Sequence, residues 1–165
     1  LQLGHDLPLD RHSTDLVALA RRVCAELQRS ADLHHLSLRS PLPSLPGHWD
    51  EARLERALLN VIGNAVKYSP DGGDVTIAVS LDSGAEPPQA TVRVTDHGIG
   101  IPASDLQRVF EAYYRAPNAG HTIPGSGLGL FTVRHIVTRH GGTVDVESQE
   151  GHGTAVSIRL PLRAP

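Results

Sequence analysis

The sequence predicts an α+β fold in which helices pack in one layer against a sheet in a second. Two periodicities and their order along the chain support this. Apolar residues recur at helical spacing in three long segments, and alternate at period two in several short ones. The two kinds of segment interleave, with strand pairs placed to run antiparallel.

Residues 1–12 show no sustained period and are expected to be a junction left from a preceding segment, with the domain running from 13 to 165. Ser13 or Asp15 can cap a first helix whose apolar face is Leu16, Leu19, Val23 and Leu27. Leu36 and Leu38 alternate as a short strand, ended by Pro41, Pro43, Pro46 and Gly47. A second helix spans 51–68, with Asp50 as its cap and Leu54, Leu58, Val61, Ile62 and Ala65 on its apolar side; the run 69–73, with Pro70, Gly72 and Gly73, stops it. Val75, Ile77, Val79 and Leu81, then Val92 and Val94, form two half-buried strands around a polar loop at 82–89. A short helix is expected over 104–110 and a mobile loop over 112–125. A third long helix spans 127–139, with Leu128, Val133, Ile136 and Val137 facing inward and Gly141-Gly142 at its end. Val144 and Val146, then Val156, Ile158 and Leu160, mark two last strands.

Composition narrows the function. The chain has 165 residues and a net charge of −3, which disfavours general nucleic-acid binding. One cysteine, Cys24, excludes an intrachain disulfide and suits a reducing compartment. No apolar run is long enough to span a membrane, and no secretory signal is visible. The first residue is not Met, so a piece of a longer chain is expected. Ten histidines raise the question of a metal, but His34 and His35 are adjacent and diverge, and the others lack ligand spacing.

Three motifs carry the chemistry. On the second helix, Asn60, Asn64 and Lys67 fall within about 60° of one another. Two amides and an ammonium can hold a magnesium ion and phosphate oxygens, although this stripe alone fits a solvated helix face better. Next, Asp96-His97-Gly98-Ile99-Gly100-Ile101 follows a strand end. A carboxylate there can accept from a ligand amino group while glycine backbone passes a flat ring; alone, this is also a common turn. Finally, Gly125-Ser126-Gly127-Leu128-Gly129-Leu130 leads into the third helix. Close backbone N–H groups at a helix N-terminus suit phosphate, and the alternative is a tight turn. This is neither the dinucleotide fingerprint nor the P-loop.

In order and spacing, the set resembles the catalytic and ATP-binding domain of bacterial sensor histidine kinases. Asn60-x3-Asn64-x2-Lys67-Tyr68 is similar to their N box and Asp96-x-Gly98-x-Gly100 to the first glycine box. Phe110-Glu111-x-Tyr113-Tyr114-Arg115 is similar to the F box, and 125–129 to the second glycine box. The likeness covers about 13–162 and implies the Bergerat ATP-binding fold: a mixed, mostly antiparallel five-stranded sheet on three helices, with a flexible lid at about 103–124. It implies ATP and Mg2+ as cofactors, with Asn64 on the metal, Asn60 supporting it, and Lys67 on a phosphate. Tyr68 would pack on adenine or ribose, Asp96 would accept the adenine amino group, and Thr154 would help through a water. Gly98, Gly100 and Ile101 would pass the base. Gly125 to Leu130 would cradle phosphate, Phe110 would anchor the lid, and Tyr114 and Arg115 would lie in it, Arg115 within reach of phosphate.

The resemblance also implies partners: a histidine-bearing dimerisation hairpin and a response regulator, with the isolated domain a monomer and the parent kinase a homodimer. The expected setting is cytoplasmic, with a parent chain either anchored or free. His5-Asp6-Leu7-Pro8 is only superficially like the phospho-acceptor motif, since it lacks the arginine and threonine and Pro8 would interrupt a helix. Gyrase-like ATPases carry a glutamate where Asn60 stands, and an amide cannot serve as a general base. The F-box likeness argues against anti-sigma-factor serine kinases. A non-catalytic docking module and a gyrase-type ATPase remain the competing functions.

Overall fold

Side-chain caps decide where two of the helices begin. The computed structural model describes residues 8–120 and 122–162. Strand β1 (His12–Asp15) ends on Asp15, whose carboxylate accepts from the N–H groups of Val17 and Ala18 and starts α1 (Leu16–Gln28). The chain then forms β2 (His34–Arg39) and β3 (Pro46–Trp49). Asp50 caps α2 (Glu51–Lys67) by accepting from Arg53 N–H. Strands β4 (Gly73–Asp82) and β5 (Gln89–Thr95) follow as a hairpin, and α3 (Gly129–Arg139), β6 (Thr143–Gln149) and β7 (Gly153–Pro161) complete the chain.

The main sheet has the order β2-β4-β5-β7-β6. β2 runs parallel to β4, and every other neighbour is antiparallel. The register stacks Leu38 beside Ile77, Ile77 beside Val94, Val94 beside Val156 and Val156 beside Val146. One face is thus a continuous apolar band that the helices cover. α2 buries Leu54, Ala57, Leu58, Val61, Ile62 and Ala65 against it, including all five residues of the predicted apolar face. Truncating one of the larger ones, such as Ile62 to alanine, costs about 2–5 kcal/mol by lost transfer energy plus a cavity. The mixed five-stranded sheet and three helices are the architecture that the sequence implied.

Three local readings need correction. The 104–110 segment is not a helix: a single 3-10 turn spans Ala103–Asp105, followed by loose turns. The third helix begins at Gly129, two residues later than expected, because Gly127 adopts a positive φ of 73°. A second, two-stranded sheet of β1 and β3 also exists, in segments read as the junction and cap of the first helix and as a proline-rich turn. The expectation for residues 1–7 lies outside the described residues.

The β1–β3 ribbon closes the end of the sandwich where α2 begins and α3 ends. Trp49 is fully buried and donates from Nε1 to Pro161 O at 2.9 Å. Gly47 lies flat on the indole, where a Cβ would fall 2.2 Å from the ring. His140 follows α3 and is wholly buried. Its Nδ1 bonds Ile136 O at 2.8 Å and must carry the proton, while Nε2 accepts from Asp50 N–H at 3.0 Å. One neutral imidazole thus ties the end of α3 to the start of α2. Asp50 Oδ2 accepts from Asp10 N–H, and Arg11 donates to Arg139 O.

Burial lowers the pKa of His140; the Ile136 carbonyl opposes this, Arg11 and Arg53 reinforce it, and Asp50 opposes it. An unfolded histidine takes up its proton near pH 6.5, so the unfolded state binds more protons just below that value and stability falls as pH drops through it. His140→Ala is expected to cost about 2–4 kcal/mol at neutral pH. Urea denaturation at about pH 7.5 and 5.5 checks both points: wild type should lose stability at the lower pH, and the variant should lose less.

Candidate functional site

A cavity of about 280 Å³ opens between the C-terminal half of α2, the start of α3, and the ends of β5 and β7. Of the residues predicted to meet the nucleotide or the metal, all but Gly98 and Leu128 line it. Gly98 lies behind the wall, where a Cβ would fall 2.0 Å from Tyr68 O, and Leu128 is the residue before the first turn of α3. Phe110 is buried beneath the Arg134 guanidinium, 5.6 Å from the ring centre, so it holds its segment to α3 and does not line the cavity.

Asp96 sits at one end, just past β5, and is only 7% exposed. Its Oδ1 accepts from Gly98 N–H at 2.9 Å and Thr154 N–H at 3.2 Å. Burial raises its pKa above the usual aspartate value, against the pull of those two N–H groups and of His97. Among the described residues nothing donates to Oδ2, which remains for a ligand. The turn is strapped in place by Ile99 N–H donating to Tyr68 O at 3.0 Å and Gly151 N–H donating to Ile99 O at 2.7 Å. Thr154 therefore holds Asp96 through its own backbone, and its hydroxyl bonds Ser148 Oγ at 2.8 Å.

The opposite wall is polar. Helical spacing carries Asn60, Asn64 and Lys67 onto the cavity side of α2, facing the glycine turn. A Cβ on Gly129 would fall 3.4 Å from Asn64 Nδ2 and 3.6 Å from Asn60 Oδ1, so the α3 backbone lies close against both amides. Lys67 Nζ lies 4.6 Å from the Tyr68 ring centre, and a Cβ on Gly125 would come within 2.8 Å of it. Unlike α1 and α2, α3 has no side-chain cap, and unlike α2 it has no acidic residue in its first turn. Its first N–H groups and positive dipole end thus face the cavity, which fits an anion.

The segment over 103–120 roofs the cavity. Tyr114 donates its hydroxyl to Asp105 Oδ1, and Arg108 stacks 4.1 Å from its ring centre. Arg115 donates from Nη2 to Gly120 O at 3.3 Å and to Ile123 O, and its buried Nε has no partner among the described residues. Asn118 donates to Gly100 O at 2.9 Å and ties the roof to the Asp96 turn.

Sequence reasoning missed the apolar lining and the brace. Val61, Ala65, Val94 and Val156 line the cavity as well as facing the core, and their periodicity does not distinguish the two. Ile99 and Val109 add apolar surface from loops. Ser148, in β6, accepts from Ile101 N–H at 2.8 Å and donates to Gly153 O at 2.8 Å. Alternation places Ser148 on the inward face of its strand with Val144 and Val146, and that inward serine was the available signal.

With a cavity that pairs a buried carboxylate with an uncapped helix end, the comparisons with known proteins are decisive. Residues 49–164 match the model of the Histidine kinase-, DNA gyrase B-, and HSP90-like ATPase family. The chain belongs to that family. The domain is 40% identical over 115 residues to the sensor histidine kinase WalK of Bacillus subtilis, covering 69% of this chain and 18% of WalK. It is 33% identical over 165 residues to the sensor-like histidine kinase SenX3 of Mycolicibacterium smegmatis, covering 98% of this chain and 41% of SenX3. Among solved structures, full-length ShkA in complex with AMPPNP superposes with a TM-score of 0.80 at 29% identity, over 98% of this chain and 33% of that one. The mycobacterial sensor histidine kinase MprB gives 0.76 at 31% identity, over 94% and 99%. This ATPase-family domain therefore has the fold of histidine kinase catalytic domains, and it spans less than half of WalK and of SenX3. No helix among the described residues is long and apolar enough to cross a membrane.

Two glycines of this histidine kinase-like ATPase domain should respond differently to substitution. A Cβ on Gly153, at φ 109°, would fall 2.1 Å from Asp96 O, whereas one on Gly151, at φ 79°, meets nothing within 4 Å. Gly151→Ala should cost only the left-handed backbone penalty of about 1–2 kcal/mol. Gly153→Ala should cost clearly more and disorder the Asp96 turn. Thermal unfolding, with the amide resonances of residues 96–101, checks the contrast.

Proposed function

We propose that the chain is the Mg-ATP-binding catalytic domain of a two-component sensor histidine kinase. It delivers the γ-phosphoryl group to a histidine on a separate dimerisation hairpin. The observation that carries this reading is one cavity with a buried carboxylate at one end and an uncapped helix N-terminus facing two amides at the other. A purine with an exocyclic amine suits the first end and a polyphosphate the second.

Each residue then has a task. Asp96 Oδ2 accepts from the adenine amino group, and Val94, Ile99 and Val156 give the base an apolar bed. Lys67, the Gly125–Gly129 backbone and the first N–H groups of α3 take phosphate oxygens. Arg115, held on the carbonyls of Gly120 and Ile123, is the roof cation placed to turn toward the phosphates. Asn64 and Asn60 lie side by side at the glycine turn and offer neutral oxygen donors, which fits Mg2+, a hard ion that keeps several waters and binds with phosphate. When bound, Mg2+ neutralises charge on the phosphate oxygens.

In the transfer, the bond from the γ-phosphorus to the ADP oxygen breaks and one to an imidazole nitrogen forms. The histidine brings its own nucleophile, so the domain needs no general base. Asn60 cannot activate water, which favours transfer over hydrolysis. The residues before β1 join the domain to the hairpin, and a response-regulator aspartate receives the phosphate next. The domain itself is monomeric and the parent kinase is a homodimer acting on the cytoplasmic side.

Calorimetry with and without magnesium tests the site. ATP should bind, with an affinity gain from Mg2+ that Asn64→Ala removes. Asp96→Asn should weaken binding about 10- to 100-fold, the worth of a hydrogen bond to a charged group. Because the Asp96 pKa is raised, wild-type affinity should fall on acidification at a pH above the usual aspartate range, and Asp96→Asn should lack that step. Label from γ-labelled ATP should appear on a hairpin domain supplied in trans and not on this chain; label on this chain alone would contradict the reading.

A further inference from the structure

Ser148 makes three short contacts through a single hydroxyl oxygen. Ile101 N–H donates to it at 2.8 Å, Gly153 O lies 2.8 Å away, and Thr154 Oγ1 lies 2.8 Å away. A serine hydroxyl has one hydrogen to give. Gly153 O is a carbonyl and can only accept, so the Ser148 hydrogen must point at it; two oxygens this close with no proton between them would repel. The Ser148–Thr154 contact then has a fixed direction. Thr154 must donate, and the lone pairs of its Oγ1 are what remain for anything else.

Thr154 lines the cavity next to Asp96, and its own N–H is spent on Asp96 Oδ1. Asp96 Oδ2 and Thr154 Oγ1, side by side at this end of the cavity, are therefore both acceptors. Such a pair suits an exocyclic amine, whose two hydrogens can meet both acceptors directly or through a bridging water, and it opposes a carbonyl in the same place.

We infer that Ser148 is a positioning residue for base selection: by consuming its own hydrogen on Gly153 O it locks the Thr154 hydroxyl as an acceptor toward the nucleotide, so that the site takes a 6-amino purine and rejects a 6-oxo purine. The inference rests on the nucleotide reading of the cavity. It adds a residue outside the cavity wall, in β6, whose effect falls on discrimination more than on folding.

Inosine triphosphate is the probe, because it differs from ATP only in carrying a carbonyl and a ring N–H at the base edge that meets Asp96 and Thr154. Calorimetry with ATP and inosine triphosphate should give wild type at least about a tenfold preference for ATP, the scale expected when a buried polar group loses its partner. In Ser148→Ala the Thr154 hydroxyl is free to rotate and donate, and the preference should fall to about threefold or less. Ser148→Thr restores the hydroxyl and should restore the preference. If Ser148→Ala does not fold, Thr154→Val removes the same oriented acceptor and should narrow the preference in the same way. Equal binding of the two nucleotides by wild type would overturn the inference, as would a preference that Ser148→Ala and Thr154→Val leave intact while lowering both affinities together. Failure of wild type to bind either nucleotide would overturn the nucleotide reading itself, and the inference with it.

Discussion

Gly98, Gly100 and Gly153 let three stretches of backbone touch around one carboxylate. A Cβ on Gly98 would fall 2.0 Å from Tyr68 O, one on Gly100 2.1 Å from Gln149 O, and one on Gly153 2.1 Å from Asp96 O. No side chain fits at any of the three. Their absence lets the end of α2, the turn after β5 and the β6–β7 hairpin close on one another, and that closure buries Asp96. Everything specific at this end of the cavity follows: the spent Oδ1, the available Oδ2 and the raised pKa. The polar wall depends on the same device at Gly129, where the start of α3 approaches the amides of α2.

The two helices that build the site are anchored at their far ends. His140 joins the end of α3 to the start of α2, and Asp10 and Arg11 reach the same corner from the incoming chain. Stability and recognition thus occupy opposite poles of the sandwich. α1 and α2 start on aspartate caps, whereas α3 starts bare, and the bare start is the one that faces the cavity. An uncapped helix end costs stability unless something else meets its N–H groups, so the exception is the place where an anion would fit.

Much of this was legible in the sequence because its signals are local. Asp50 before a helical stripe, paired alternating strands, and glycines leading into α3 each follow from a few adjacent residues. What was not legible depends on distant partners or on elements too short to show a period. β1 and β3 have four residues each, and Pro46 and Gly47 in β3 argue for a turn until Trp49 is seen to need a flat neighbour. The spacing over 104–110 suited a helix, but only a 3-10 turn forms over Ala103–Asp105. His140 resembled any histidine at a helix end, since its bond to Asp50 spans 90 residues. Ser148 resembled any strand serine, since the turn it braces lies 47 residues earlier. The residue types at the site could be read, but the hydrogen-bond directions that give them polarity could not.

The central claim is that one cavity holds a purine at Asp96 and its phosphates at the start of α3. A crystal structure of this domain with a non-hydrolysable ATP analogue and magnesium tests it most directly. The account predicts the exocyclic amine within hydrogen-bond distance of Asp96 Oδ2, and the phosphates against the first N–H groups of α3 with the ion beside Asn64. A nucleotide bound outside this cavity, or bound in it with the base at the α3 end, would contradict it.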